Sequence, residues 1–119
     1  MALRLATRFV EGVAVVYCVG RIVAGAEADE FRLQVKGLLP ENTSILINLR
    51  DVEYVDSGGL GALVGLYVSA RNAGGELKVC CPNQRTRHVL NVTKLAGVLK
   101  VFSDEEQAVA SFRWLSASA

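Results

Sequence analysis

Residues 44–72, SILINLRDVEYVDSGGLGALVGLYVSARN, carry a strand pattern that passes through a glycine-rich turn into a helix pattern. Residues 44–49 are almost continuously apolar and rich in β-branched side chains, which is typical of a strand covered on both faces. Leu60, Leu63, Val64 and Tyr67 have the i, i+3, i+4, i+7 spacing of an amphipathic helix, which we place at residues 58–73. A buried strand followed at once by a helix predicts a parallel βαβ unit.

The alternation of strand and helix patterns extends to both sides of this segment. Upstream, two strands joined by a tight turn at Gly12 precede a helix that Pro40 ends; these segments are residues 3–9, 13–20 and 24–39. Downstream, the predicted elements are a strand at 76–81, a helix at 83–96 with Gly97 after it, a strand at 99–102, and a helix with Ser103 as N-cap. Short connections predict right-handed crossovers, with the first two strands free to form an antiparallel hairpin.

Functional sites of open α/β sheets lie at the carboxyl ends of the parallel strands. Three predicted loops meet at that edge: residues 20–26, 50–58 and 81–84. The middle loop contains Ser57, so we place the candidate site there.

The composition narrows the classes of function. The chain has 119 residues, enough for one domain, and its formal net charge of +1 gives no general attraction to nucleic acid. The three cysteines, Cys18, Cys80 and Cys81, are expected to be reduced, as in a cytoplasmic protein without a secretory signal or membrane span. There is no C-x-x-C spacing and a single histidine, so neither a metal nor a cofactor is expected.

Two roles are open for Ser57 in the stretch DSGGLG, residues 56–61. Serine is a favoured helix N-cap, because its hydroxyl accepts a free N–H of the first turn. The neighbouring glycines are costly in a helix, by about 1 kcal/mol each relative to alanine. A small-residue face therefore predicts close packing by another helix or by another protein; its members are Gly58, Gly61, Ala62, Gly65 and Ser69.

Catalytic motifs do not fit Ser57. The nucleophile elbow G-x-S-x-G would need glycine where Val55 stands. A catalytic triad would need His88, which lies on a predicted helix face among arginines. The glycines match neither a dinucleotide-binding fingerprint nor a phosphate-binding loop. An enzyme is not predicted.

These residues resemble the STAS domain of bacterial anti-anti-sigma factors. The resemblance covers nearly the whole chain, and its most specific part is Asp-Ser followed by a small residue, Gly, Leu and Gly at Asp56 to Gly61. The segments ARNAGGELKV and VLNVTKLAGVLKVF also resemble this family. The resemblance implies a single STAS domain over residues 1–119, with its core at about 3–115. The implied fold is the α/β STAS (SpoIIAA-like) fold, a mixed, mostly parallel sheet of four to five strands with about four helices mainly on one face.

The resemblance also implies a function, partner switching. The unmodified protein would bind an anti-sigma factor that is also a serine kinase of the GHKL type, and so release a sigma factor. The kinase would phosphorylate Ser57, and a PP2C-type phosphatase would reverse this. The residues implied to contact the partner are Asp56, Ser57, Gly58, Gly59, Leu60, Gly61, Ala62 and Gly65, with Arg21 and Val23 in the adjoining loop. A regulatory STAS subunit of a lipid or anion transport complex is the alternative, and a nucleotide-binding sensor ranks below it.

Two positions depart from the family pattern. Val23 stands in GRIV where the family often has Asp, in the loop beside the serine. Asn48 stands in the strand where relatives often have Asp.

Overall fold

The computed structural model describes residues 3–118, with side chains described as far as Phe112. These residues form five strands and five helices in the order β1 Leu3–Val10, β2 Val13–Ile22, α1 Ala26–Leu38, β3 Ser44–Val55, α2 Ser57–Asn72, β4 Glu76–Cys80, α3 Gln84–Val92, α4 Leu95–Leu99, β5 Val101–Phe102 and α5 Glu105–Ser118. The strands make one sheet in the order β1-β2-β3-β4-β5. The predicted α/β class and mixed sheet are confirmed.

The first two strands form the predicted hairpin. Glu11 and Gly12 make its two-residue turn, and both have positive φ, 49° and 83°, as a type I′ turn requires. β1 pairs antiparallel with β2, while β2–β3, β3–β4 and β4–β5 are parallel pairs. The carboxyl ends of β2, β3 and β4 therefore meet at one edge of the sheet.

Two apolar clusters lie on the two faces of the sheet. The larger cluster packs the sheet against α1, α2, α3 and α4, through Phe31, Ile47 and Leu63 among others. The smaller one packs the other face against α5, through Val15, Leu46 and Phe112. Neighbouring residues of a strand enter opposite clusters, as the two-residue period of a strand dictates. Four of the five helices thus share a face, in agreement with the predicted arrangement.

β3 is longer than predicted, and this changes the expected loop at residues 50–58. The strand continues to Val55, and its last part pairs with β2 beyond a register shift after Asn48; the paired residues are Asp51, Val52, Tyr54 and Val55, with a second shift at Glu53. Val52 and Val55 remain buried, while Arg50, Asp51 and Glu53 are exposed because α5 does not cover this end of the sheet. The polar residues that suggested a loop belong to a half-covered strand, and only Asp56 separates β3 from α2.

Two details near the end of the chain also differ from prediction. The expected helix at 83–96 is broken by Lys94, which has φ 64°, so Gly97 lies inside the separate helix α4 and does not end α3. Helix α5 is capped by Asp104, whose Oδ1 accepts the N–H of Gln107 at 2.8 Å, and not by Ser103. Within residues 3–118, no helix is both long and apolar enough to cross a membrane.

Candidate functional site

The carboxylate of Asp56 joins the two segments of chain that meet at the site. Its Oδ1 accepts the N–H of Gly59 at 2.8 Å, which makes Asp56 the N-cap of α2. Both carboxylate oxygens also lie 3.1 Å from the N of Ala24, in the loop between β2 and α1. Asp56 thus ties this loop to the start of α2. The predicted cap at Ser57 is wrong, because the extended backbone that a cap requires belongs to Asp56.

These hydrogen bonds determine the charge at the site. The N–H groups of Gly59 and Ala24 stabilise the ionised carboxylate and hold the pKa of Asp56 below its usual value. At neutral pH the residue before Ser57 is therefore a carboxylate, placed at the positive end of the α2 dipole.

We expect Asp56→Asn to lower the melting temperature at pH 7, and the difference from wild type to shrink in acid. Since the folded pKa lies below the unfolded one, the carboxylate contributes its full stabilisation above the unfolded pKa, about 4. That contribution is lost as the pH falls through the folded value. Thermal melts followed by circular dichroism between pH 7 and about pH 2.5 measure the effect.

Asp51→Asn is the matched control, because the carboxylate of Asp51 is exposed and makes no hydrogen bond or ion pair with a described residue. This substitution removes the same charge at a position in β3, five residues before Asp56, and should change the melting temperature little. If the difference in melting temperature between wild type and Asp56→Asn stayed constant down to the lowest pH, the role assigned to the carboxylate charge would be contradicted.

Ser57 is the first residue of α2 and is exposed. Its hydroxyl makes no hydrogen bond with any residue that the structure describes. The side chain is thus not needed to hold the helix together. An exposed, uncommitted hydroxyl next to a fixed carboxylate is accessible to a modifying enzyme.

The glycines after Ser57 fall into two groups. A Cβ on Gly58 would lie 2.5 Å from the Cβ of Ala24, and one on Gly59 would overlap the carbonyl oxygen of Ile22. Gly61 and Gly65 are exposed, and a Cβ on either would meet nothing within 4 Å. The first two glycines therefore let α2 pack against the end of β2 and the loop that follows it, whereas the other two leave the outer side of the helix bare.

The remaining predicted contact residues divide between surface and core. Ala62 is 0% exposed and Gly59 is also buried, so neither is available to a partner docked on this fold. Leu60 is half-buried against the larger cluster. Arg21 is exposed at the end of β2, and Val23 is half-buried, with its carbonyl accepting the N–H of Ala28 at 3.0 Å.

A polar cluster on the opposite face of the sheet was not predicted from the sequence. Glu105, at the start of α5, accepts the hydroxyl of Tyr17 at 2.8 Å and the side-chain amide of Asn48 at 2.9 Å. Burial, followed by the hydrogen bond to Glu105, raises the pKa of Tyr17. The sequence does carry a sign of this cluster, since Asn48 is a single polar residue within an apolar strand that buries both faces. Glu105, its partner 57 residues later in the chain, is not marked out by any sequence pattern.

The chain is similar in sequence to a known domain family and to curated bacterial proteins. A family model for the STAS domain matches residues 4–108. A Thermotoga neapolitana protein named as a candidate anti-sigma factor antagonist is 35% identical over 65 residues, which are 55% of this chain and 58% of that protein. An anti-sigma F factor antagonist of Paenibacillus polymyxa is 28% identical over 72 residues, which are 60% of this chain and 62% of that protein.

The solved structures agree on the fold. A crystal structure from Thermotoga maritima superimposes with a TM-score of 0.85 at 25% identity, covering 92% of this chain and 94% of that one. The matches to the two curated relatives span less than two thirds of either relative's length.

Proposed function

This chain belongs to the STAS domain family, and we propose that it is an anti-sigma factor antagonist switched by phosphorylation of Ser57. Its partner is an anti-sigma factor that is also a serine kinase, and its unmodified form binds that partner and releases a sigma factor. A phosphatase restores the binding form. In this scheme the chain is a substrate and a binding module, not an enzyme. The single observation that carries the proposal is the exposed, unbonded hydroxyl of Ser57 beside the fixed carboxylate of Asp56.

The proposed contact surface is the outer side of α2. Ser57, Gly61 and Gly65 are four residues apart, so they share one side of the helix, and all three are exposed. Val68 continues this side one turn further and is also exposed. Without side chains at Gly61 and Gly65, a partner's side chains approach the helix backbone closely. We call this surface, consisting of Ser57, Gly61, Gly65 and Val68, the α2 outer face.

Phosphorylation of Ser57 favours the free fold over the bound state. A phosphoserine carries about −1.5 to −2 charges at pH 7. In the free protein this charge is solvated and lies at the N-terminal end of a helix, where anions are favoured. In the complex the same charge would be desolvated beside the ionised Asp56. Burying an unpaired charge costs several kcal/mol, which is comparable to the difference between a micromolar and a millimolar complex.

The test begins with the protein itself as bait. Tagged wild-type chain is purified from its native cell, and Ser57 is examined for phosphate by mass spectrometry. A co-purifying serine kinase together with phosphate on Ser57 is the expected result. Phosphate on a different residue, or a transport complex captured without any kinase, would overturn the proposal and favour the transport subunit.

The captured kinase then allows the switch to be measured by calorimetry. We expect Ser57→Asp to weaken binding by about 100-fold or more, equivalent to about 2.7 kcal/mol. Ser103→Asp is the control, because it adds the same charge at an exposed position on the segment between β5 and α5. It should bind like wild type. Equal affinity of the Ser57→Asp variant and wild type would contradict the switch.

A further inference from the structure

The outer edge of β1 is a free strand edge. β1 is an end strand of the sheet and pairs only with β2 among the described strands. Its turn has two residues, so Val10 and Val13 form a hydrogen-bonded pair, and hydrogen-bonded pairs then recur at every second residue. It follows that Leu3, Leu5, Thr7 and Phe9 direct their N–H and C=O groups away from the sheet. The strand, LRLATRFV, contains no proline or lysine, and its two charged residues, Arg4 and Arg8, are at positions whose N–H and C=O groups face β2.

On one face of the sheet, β1 has an exposed aromatic side chain at one end and a groove at the other. Phe9 is 65% exposed, and it lies on the same face as Leu3 and Leu5 because all three are odd-numbered residues of one strand. A groove of about 480 Å³ runs between the start of β1 and α1 and is lined by Leu3, Leu5 and Ala26 together with the polar residues Arg4, Glu27, Glu30 and Gln34. If the β1 strand of a second copy pairs antiparallel with this edge, Phe9 of each copy comes next to the groove of the other.

On the other face of the sheet, a positive charge and an acidic depression lie at opposite ends of β1. Arg4, near the start of β1, is exposed and has no ion pair among the described residues. At the far end of the strand, a depression of about 530 Å³ is lined by Val10 and by the acidic start of α5, including Glu106. Antiparallel pairing of two β1 strands brings each arginine to the acidic depression of the other copy.

We propose that two copies of this chain dimerise through β1, with Thr7 opposite Thr7 about a two-fold axis. In this register Phe9 lies opposite Leu5 of the second copy, beside the groove, and Arg4 lies opposite Val10, beside the acidic depression. The register two residues away places Arg4 opposite Arg8 and is disfavoured by like charges. The two faces are therefore complementary in the same register, and the pairing makes one ten-stranded sheet from two five-stranded sheets.

A second copy is favoured over a foreign peptide because the chain itself supplies every complementary part. The aromatic side chain, the groove, the arginine and the acidic depression all lie along one strand, and a two-fold axis satisfies each of them twice. A foreign peptide would have to reproduce both the apolar and the charged features.

Analytical ultracentrifugation over about 1 μM to 1 mM protein tests the dimer, since a single added strand pair supports a weak interface. We expect wild type to pass from monomer to dimer within this range. Thr7→Pro should be monomeric throughout, because it removes an outward-pointing N–H and leaves the ladder to β2 intact. Phe9→Ser should raise the dissociation constant about tenfold or more. Val92→Ser is the control, since Val92 has a similar exposure, 64%, but lies on α3.

A charge exchange tests the register independently of the strand edge. Arg4→Glu and Glu106→Arg should each weaken the dimer, and the double variant should recover it. Circular dichroism confirms that each variant is folded, and if Thr7→Pro is not, Phe9→Ser and the charge exchange still decide. A monomeric wild type at 1 mM, or a dimer that is unaffected by both Phe9→Ser and the charge exchange, would overturn the proposal. Binding of the kinase by monomeric Thr7→Pro is a separate measurement, so failure of the dimer leaves the proposed function untouched.

Discussion

Gly59→Ala is expected to destabilise the fold by about 3 kcal/mol or more, whereas Gly61→Ala, two residues later in the same helix, should stabilise it. A Cβ on Gly59 would overlap the carbonyl oxygen of Ile22 and lie 2.8 Å from Cγ1 of Val55. The carbonyl is backbone at the end of β2, and it also accepts the N–H of Asp56 at 3.3 Å. Relief of the overlap therefore requires α2 to move away from the sheet and disturbs the link between β2 and the serine motif.

The control has the opposite sign. Gly61 is exposed and a Cβ there meets nothing within 4 Å, so alanine adds helix propensity without a clash. We expect a gain of about 0.5–1 kcal/mol. Urea unfolding of the two variants and wild type gives both free energies of unfolding from one assay. Similar losses for both variants would show that α2 is sensitive to any side chain, and the division of the glycines into two groups would be incorrect.

The opposite roles of these glycines were only partly accessible from the sequence. Gly59 lies three, four and seven residues before the buried Ala62, Leu63 and Leu66, so helical periodicity alone places it on the core side. Periodicity does not reveal how close β2 comes. That distance depends on Ile22 and Ala24, more than 30 positions earlier, and on the parallel pairing of β2 with β3.

The identity of the cap was hidden for a related reason. Asp and Ser are both good N-caps and stand side by side at positions 56–57 and again at 103–104. In both pairs the aspartate is the cap. Which residue takes the extended backbone depends on where the preceding segment ends, and for Asp56 this is set by the pairing of residues 51–55 with β2.

The order of elements, by contrast, depends on local patterns and was predictable. The hairpin, the buried strand and α2 follow from apolar periodicity and turn residues, and the serine motif follows from its residues alone. The polar cluster of Tyr17, Asn48 and Glu105 was not predictable, because it joins three elements distant in sequence.

That cluster gives a new significance to Asn48, the polar residue of the buried part of β3. Asn48→Asp is expected to lose about 2–4 kcal/mol at pH 7. Asn48 is 5% exposed and donates to the half-buried Glu105 at 2.9 Å, so an aspartate there would place a buried carboxylate in contact with a half-buried one. One of them must bind a proton, which raises its folded pKa above the unfolded value. The variant's deficit is therefore small below about pH 4 and grows as the pH rises towards 7.

Glu105→Gln in the same chain should repair most of this loss. The glutamine amide donates to the introduced aspartate, and its carbonyl oxygen still accepts the hydroxyl of Tyr17, so the cluster regains a complete set of partners with one negative charge instead of two. Urea unfolding of the two single variants and the double variant at pH 7 and about pH 4 gives the coupling energy directly. If Asn48→Asp were as stable as wild type at pH 7, or if Glu105→Gln left its loss unchanged, carboxylate repulsion would not be its cause. With repulsion as the cause, Asn48 serves this chain by giving Glu105, the first residue of α5, an amide donor where aspartate would place a second carboxylate.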